Sequence, residues 1–231
     1  MVFLAGGMVS LYPFIHGFHV DRSFEQTAEE FLSRVEITPA TDPTAESTEP
    51  TEPKAYPELW DAMTAYNTAI YAEVQSGLSD PSAYETPSFD LTDYGLKDEI
   101  FGVISIPALE LEMPLYLGAT YQHMADGAAH LSQTSIPIGG NNTNAVIAGH
   151  RGWRGASYFR YITELQPGDE VIITNLWGTL TYRVAKTQII WPYEVDQILI
   201  QENRDLITLL TCHPYASGGR QRYLVICERA E

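Results

Sequence analysis

A change of texture at Ile100 limits what this chain can fold into more than any other feature. From there on, short apolar runs alternate with turn residues. The segments 100–106, 109–114, 144–148, 170–174, 179–190, 206–211 and 223–228 read as strands. Within one of them Leu180, Tyr182 and Val184 recur at every second position and so share a face. Gln166-Pro167-Gly168-Asp169 and Leu176-Trp177-Gly178 supply turns, and short helical turns fit 121–129 and 156–165. About seven strands so spaced predict a mainly β domain, a barrel or a sandwich.

The first hundred residues differ. From Val2 to Val20 there is no Lys, Arg, Asp or Glu. That run reads as the outer end of a membrane anchor, with a buried N-terminal helix as the other reading. Ser23-Phe24-Glu25-Gln26 has the form of a capping box and predicts the start of a short amphipathic helix, with Phe24, Ala28, Phe31, Leu32 and Val35 on one side. Residues 39–52 are rich in Thr, Pro, Glu and Ala, a composition that buries no apolar surface and reads as a linker. Pro57 then opens a clearer helix, with Leu59, Met63, Tyr66, Ile70 and Val74 at helical spacing and Gly77 as its stop. Residues 78–95, with Pro81 and Pro87, lack periodicity and are long for a plain connection. The expected division is therefore 1–20 anchor, 21–56 helix and linker, 57–96 second helix and irregular segment, 97–231 the β domain.

Composition narrows the chemistry. At roughly 100–200 residues per domain, 231 residues leave room for one good-sized domain with appendages. Thirteen Lys and Arg against thirty Asp and Glu give a net charge of −17, which argues against a nucleic-acid partner because that affinity comes from neutralising phosphates. Two cysteines make neither a disulfide scaffold nor a four-thiolate zinc site. With no Gly-rich phosphate loop and no metal-ligand spacing, no metal and no cofactor is expected.

One cysteine stands out. Cys212 closes an apolar strand and is followed at once by His213-Pro214, where a strand must end. A thiol nucleophile needs a proton partner and a group to stabilise an oxyanion. His150 ends an earlier strand in Ala148-Gly149-His150-Arg151-Gly152, and its flanking glycines allow close backbone approach. His213, adjacent to Cys212, should point to the opposite face, while His123 and His130 flank a short helix as core or supporting residues. Arg222 opens the last strand, where pairing with the Cys212 strand would return its guanidinium to the thiol; Arg220 competes for that role. Cys227, inside a strand beside Ile226, reads as a packed small hydrophobe.

Together these residues resemble a known pattern. Thr208-Leu209-Leu210-Thr211-Cys212, with a histidine upstream and an arginine downstream, is similar to the TLxTC signature of the sortase family of cysteine transpeptidases. Gly127-Ala128-Ala129-His130-Leu131, then Thr134-Ser135-Ile136-Pro137-Ile138-Gly139-Gly140, resembles a stretch of the class C, pilus-assembling sortases, and His150-Arg151-Gly152 matches that class's HRG. The resemblance implies an eight-stranded barrel with His150, Cys212 and Arg222 in one cleft, and Leu210 and Thr211 at the substrate. It also implies a lid, with Asp80-Pro81 at the place of an Asp-Pro-aromatic motif. The third position here is Ser82, so Tyr84 or Phe89 would supply the ring over the thiol.

The implied activity is attack by Cys212 on an LPxTG-like sorting signal, followed by transfer of the thioacyl group to a lysine of a pilin subunit. The implied place is the outer face of the cytoplasmic membrane of a Gram-positive bacterium, reached through the N-terminal segment. Two alternatives stand beside it: a sortase of another class that anchors proteins to peptidoglycan, and a non-catalytic surface barrel with a structural cysteine.

Overall fold

The computed structural model describes residues 2–35, 55–79 and 84–230. Eight strands close into one barrel: β1 (Ile100–Ile106), β2 (Leu111–Leu117), β3 (Ala128–His130), β4 (Thr143–Ala148), β5 (Glu170–Asn175), β6 (Gly178–Ile190), β7 (Asp205–His213) and β8 (Gln221–Arg229). Around the ring they run β1-β2-β3-β4-β7-β8-β6-β5, and β5 pairs back to β1. The pairs β2/β3 and β4/β7 are parallel; the other ladders are antiparallel.

Alternation along each strand divides the side chains between two faces. Ala145 and Ile147 of β4, Ile207 and Leu209 of β7, and Val225 and Cys227 of β8 belong to the main core, together with Tyr182 and Val184 of β6. The residues between them, Val146, Ala148, Leu210, Leu224 and Ile226, form a second apolar group with Leu78, Leu131 and Ile198, and Tyr84 and Met124 pack against it. This second face leads to the site.

Helix α1 (Val2–Arg34) lies along the barrel, with Ala28 and Phe31 packed against Ile100, Val103 and Tyr116. Burial of a phenylalanine side chain is worth about 1.5–3 kcal/mol, enough to hold a helix to a sheet where two such rings are covered. Helix α2 (Pro57–Ala72) buries Leu59, Met63 and Ile70, with Asn67 among them. The Asn67 amide donates to the Ile136 carbonyl at 3.1 Å, and its oxygen accepts from the Ile136 N–H at 2.7 Å, so the buried polar group is satisfied at both ends. A short helix α3 (Tyr121–Asp126) completes the outer layer, capped by the Thr120 hydroxyl.

Several expectations need correction. Helix α1 does not begin at the Ser23 capping box: it runs unbroken through residue 20, because Asp21, Arg22 and Ser23 offer no proline or glycine to interrupt the ladder. Among the described residues no helix is long and apolar enough to cross a membrane. Helix α2 stops at Ala72. Val74 and Gln75 take left-handed backbone (φ 53° and 52°), which turns Val74 to solvent and puts Gln75 in the buried place, where its carbonyl accepts from the Ile200 N–H at 2.6 Å. The end of the expected helical turn at 121–129 is strand β3. No helix forms over 156–165, because Tyr158 adopts φ 42°; a single tight turn, Ile162–Glu164, remains. Strand β2 continues past Pro114, where β3 has not yet joined it, so the missing N–H falls on a free flank. The linker at 39–52 lies outside the described residues.

Candidate active site

In the β7–β8 hairpin Cys212 lies directly opposite Arg222. Alternation places both on the face that carries Leu210 and Leu224. Strand β4 runs parallel to β7 with Ala148 beside Leu210. The Gly149 N–H donates to the Leu210 carbonyl at 3.1 Å, and the Thr211 hydroxyl donates to the Gly149 carbonyl at 2.8 Å. These two bonds extend the attachment to β7 one residue past β4, to Gly149, and His150 follows directly. The ladders thus set the Cys212 and Arg222 positions opposite each other and leave His150 two residues past the last β4–β7 pair, Ala148 with Leu210.

The loop joining β7 to β8 returns over the thiol at Gly219, which has φ +75°. A Cβ at that position would lie 3.2 Å from Cys212 Sγ and 3.1 Å from Arg222 Nη1. Arg222 Nη1 also donates to the Gly219 carbonyl at 2.6 Å. Sulfur and guanidinium converge on one point that only glycine leaves open. Sequence reasoning missed Gly219; the available signal was the Gly218-Gly219 pair within a short connection between two strands.

His150 is half-buried between two rings, with Trp153 at 5.1 Å and Tyr158 edge-on at 5.4 Å. Burial lowers its pKa and favours the neutral imidazole, the form that can take up a proton. Its carbonyl accepts from the Phe159 N–H at 2.9 Å, and a Cβ at Gly149 would lie 2.6 Å from the Phe159 ring. Arg151, until now only a letter in the motif, ties the loops together. Its Nη1 donates to His213 Nδ1 at 2.7 Å and to the Cys212 carbonyl at 3.4 Å, and its Nη2 donates to the Thr163 hydroxyl at 3.3 Å. Burial, and then the Arg151 charge, lower the His213 pKa and keep that ring a neutral acceptor. His213 lies 5.8 Å from the Tyr223 ring, on the face away from Cys212.

The remaining candidates separate cleanly. Thr211, expected at the substrate, is buried at 1% exposure with its hydroxyl spent on Gly149, so it positions the His150 strand; Leu210 is half-buried on the outward face. Arg220 is exposed. Asp80 and Pro81 lie outside the described residues. Tyr84 packs against the same outward group as Leu210, its hydroxyl donating to the Leu78 carbonyl and its carbonyl accepting from the Ala119 N–H at 2.9 Å. His123 is a core residue, bonded to the Gly118 carbonyl at 2.8 Å and stacked on Tyr116. His130 is fully buried and pushed down to about 4 by that burial, hence neutral. Cys227 is pushed up to about 12 by burial and stays a protonated thiol in the core.

A family model described as a sortase domain matches residues 104–230. In sequence the chain is 28% identical over 130 residues to Sortase D of Bacillus subtilis, covering 55% of this chain and 63% of that protein. It is 27% identical over 129 residues to Sortase A of Bacillus anthracis, covering 56% and 59% respectively. The chain thus spans under two thirds of the length of these curated relatives. Among solved structures, Sortase C1 of GBS Pilus Island 1 superposes with a TM-score of 0.66 at 28% identity, over 76% of this chain and 83% of that one. Sortase A from Corynebacterium diphtheriae superposes with a TM-score of 0.67 at 28% identity, over 76% and 84%.

Proposed function

The chain belongs to the sortase family of cysteine transpeptidases, and from that premise we propose that it joins a protein bearing an LPxTG-like sorting signal to a lysine amine of a pilin subunit. The observation that carries this reading is the cross-strand pair of Cys212 and Arg222, with Gly149, the residue before His150, bonded to Leu210 and Thr211 of the same strand as the thiol. His150 takes the proton of the Cys212 thiol, and the thiolate attacks the threonine carbonyl carbon of the signal. Arg222, held to the Gly219 carbonyl, faces the oxyanion that forms. The carbon–nitrogen bond then breaks, and the protonated His150 gives its proton to the departing amine. A lysine amine attacks the thioester, His150 takes the proton that amine loses, and the thiolate leaves. Burial favours the neutral imidazole, the form that accepts the proton of the thiol and later of the attacking amine. Leu210, on the same outward face as the thiol, is the floor against which the signal's apolar residues lie, and the segment around Tyr84 covers that floor as a lid.

The class C assignment draws on the His150-Arg151-Gly152 motif and on the likeness to Sortase C1. Action at the surface of a Gram-positive cell belongs to the same proposal. The likeness in sequence to Sortase D of Bacillus subtilis and Sortase A of Bacillus anthracis keeps a sortase of another class, acting on a peptidoglycan acceptor, as a second reading. One experiment separates them: a labelled sorting-signal peptide is offered with a pilin fragment, an oligoglycine or a cell-wall stem amine, and the labelled product is identified by mass spectrometry. Label on a pilin lysine is expected, together with a thioacyl adduct on Cys212. Unchanged turnover in Cys212→Ala overturns the enzymatic reading altogether.

A further inference from the structure

The turn that carries the two rings beside His150 cannot hold its own shape. Gly152, Arg154, Gly155 and Tyr158 all have positive φ, at 78°, 49°, 94° and 42°. For a bulky residue such as Tyr158 that conformation is strained, and it persists only where surrounding structure imposes it. Helix α1 is what surrounds it. The Asp21 carboxylate accepts from the Ser157 N–H at 2.9 Å and from the Ser157 hydroxyl at 3.3 Å. The Phe24 ring meets the Tyr158 ring edge-on at 5.0 Å. At Gly17 the helix backbone presses on the turn so closely that a Cβ there would lie 2.3 Å from the Gly155 carbonyl. Tyr158, only 2% exposed, is fastened on its other side by donation of its hydroxyl to the Ala125 carbonyl at 2.7 Å.

We infer that helix α1 is a positioning element of the catalytic site: docked on the 155–158 turn through Gly17, Asp21 and Phe24, it holds Tyr158 against His150 and sets where the imidazole stands relative to Cys212. The chain of contact is continuous, from carboxylate to turn to phenol ring to imidazole. The inference rests on His150 being the proton carrier of the proposed reaction. The titratable and charged groups around that imidazole are the Tyr158 phenol on its own turn, Arg154 stacked on Trp153 at 4.4 Å, Cys212 and Arg222 on β7 and β8, His16 of helix α1 and Tyr121 of α3, which line a cavity with Trp153 and Tyr158, and beyond Tyr158 the carboxylates of Asp21 and Asp126. Burial is the cause of the lowered His150 pKa, so loosening the turn and admitting water should return it toward its ordinary value.

The test uses the full chain with Asp21→Ala, Asp21→Asn and Gly17→Leu, each confirmed folded by its thermal transition. Two quantities are read: kcat/KM for a labelled sorting-signal peptide, and the titration midpoint of the His150 imidazole by NMR of histidine-labelled protein. Asp21→Ala and Gly17→Leu are expected to lower kcat/KM about tenfold and to raise the midpoint. Asp21→Asn, which keeps an oxygen for the Ser157 N–H, should recover both. Folded variants with an unmoved midpoint overturn the inference, whether or not the rate falls. A fully active His150→Ala instead removes the functional reading, and this inference with it.

Discussion

The two sides of the site are built by different means. Cys212 and Arg222 sit within a regular antiparallel ladder, where backbone pairing alone fixes which residue faces which. His150 lies just past the end of β4, on a turn with four left-handed residues, and is held by rings, by Arg151 and by a helix more than a hundred residues earlier in the chain. The contrast teaches that the nucleophile and its counter-charge are set by secondary structure, while the proton carrier is set by tertiary packing. Damage to the first side should be chemical and local. Damage to the second should be graded and reachable from a distance.

Four measurements sharpen that contrast. Arg222→Ala should cost about 10²–10³-fold in kcat/KM with little change in thermal stability, as for loss of an oxyanion donor; Arg222→Lys should recover only part, lacking the fork. Acid tests the barrel that underlies both sides. His130 is neutral in the fold, with a pKa of about 4 against an ordinary 6.5, so the unfolded chain binds the extra proton between those values. Its contribution is complete above pH 6.5 and falls away toward pH 4, by roughly 3 kcal/mol, which denaturant unfolding at both ends of the window would read; His130→Asn should flatten that slope. Gly219→Ala should lower activity about tenfold, because the new methyl must displace the sulfur or the guanidinium, and should destabilise by about 1 kcal/mol through its positive φ. Thr211→Val, which unties β7 from the step before His150, should cost about 1 kcal/mol and a few-fold in rate, smaller than any change on the ladder side.

The ladder side was also the side legible in the sequence. An apolar run ending in Cys212-His213-Pro214 and a second opening at Arg222 announce a hairpin, and period-two alternation does the rest. What escaped was what tertiary contacts decide. Strand β3 has three residues and no alternation of its own, and exists because β2 and β4 flank it. The 156–165 segment carries buried Ala156, Phe159 and Ile162 at helix-like intervals, yet the left-handed Tyr158 forbids the helix. The Ser23 capping box is a real sequence pattern, but a cap matters only where a helix begins, and nothing ended the preceding one. Thr211 looked like a substrate contact because it adjoins the nucleophile; its place on the opposite parity from Cys212 assigns it to the wall instead.

Strand β8 comes after every other strand in chain order, yet it lies between β6 and β7 and seals the ring. The same strand brings the positive charge to the sulfur. One ribbon of backbone thus serves two ends: the same nine residues that complete the wall also set an arginine opposite the cysteine.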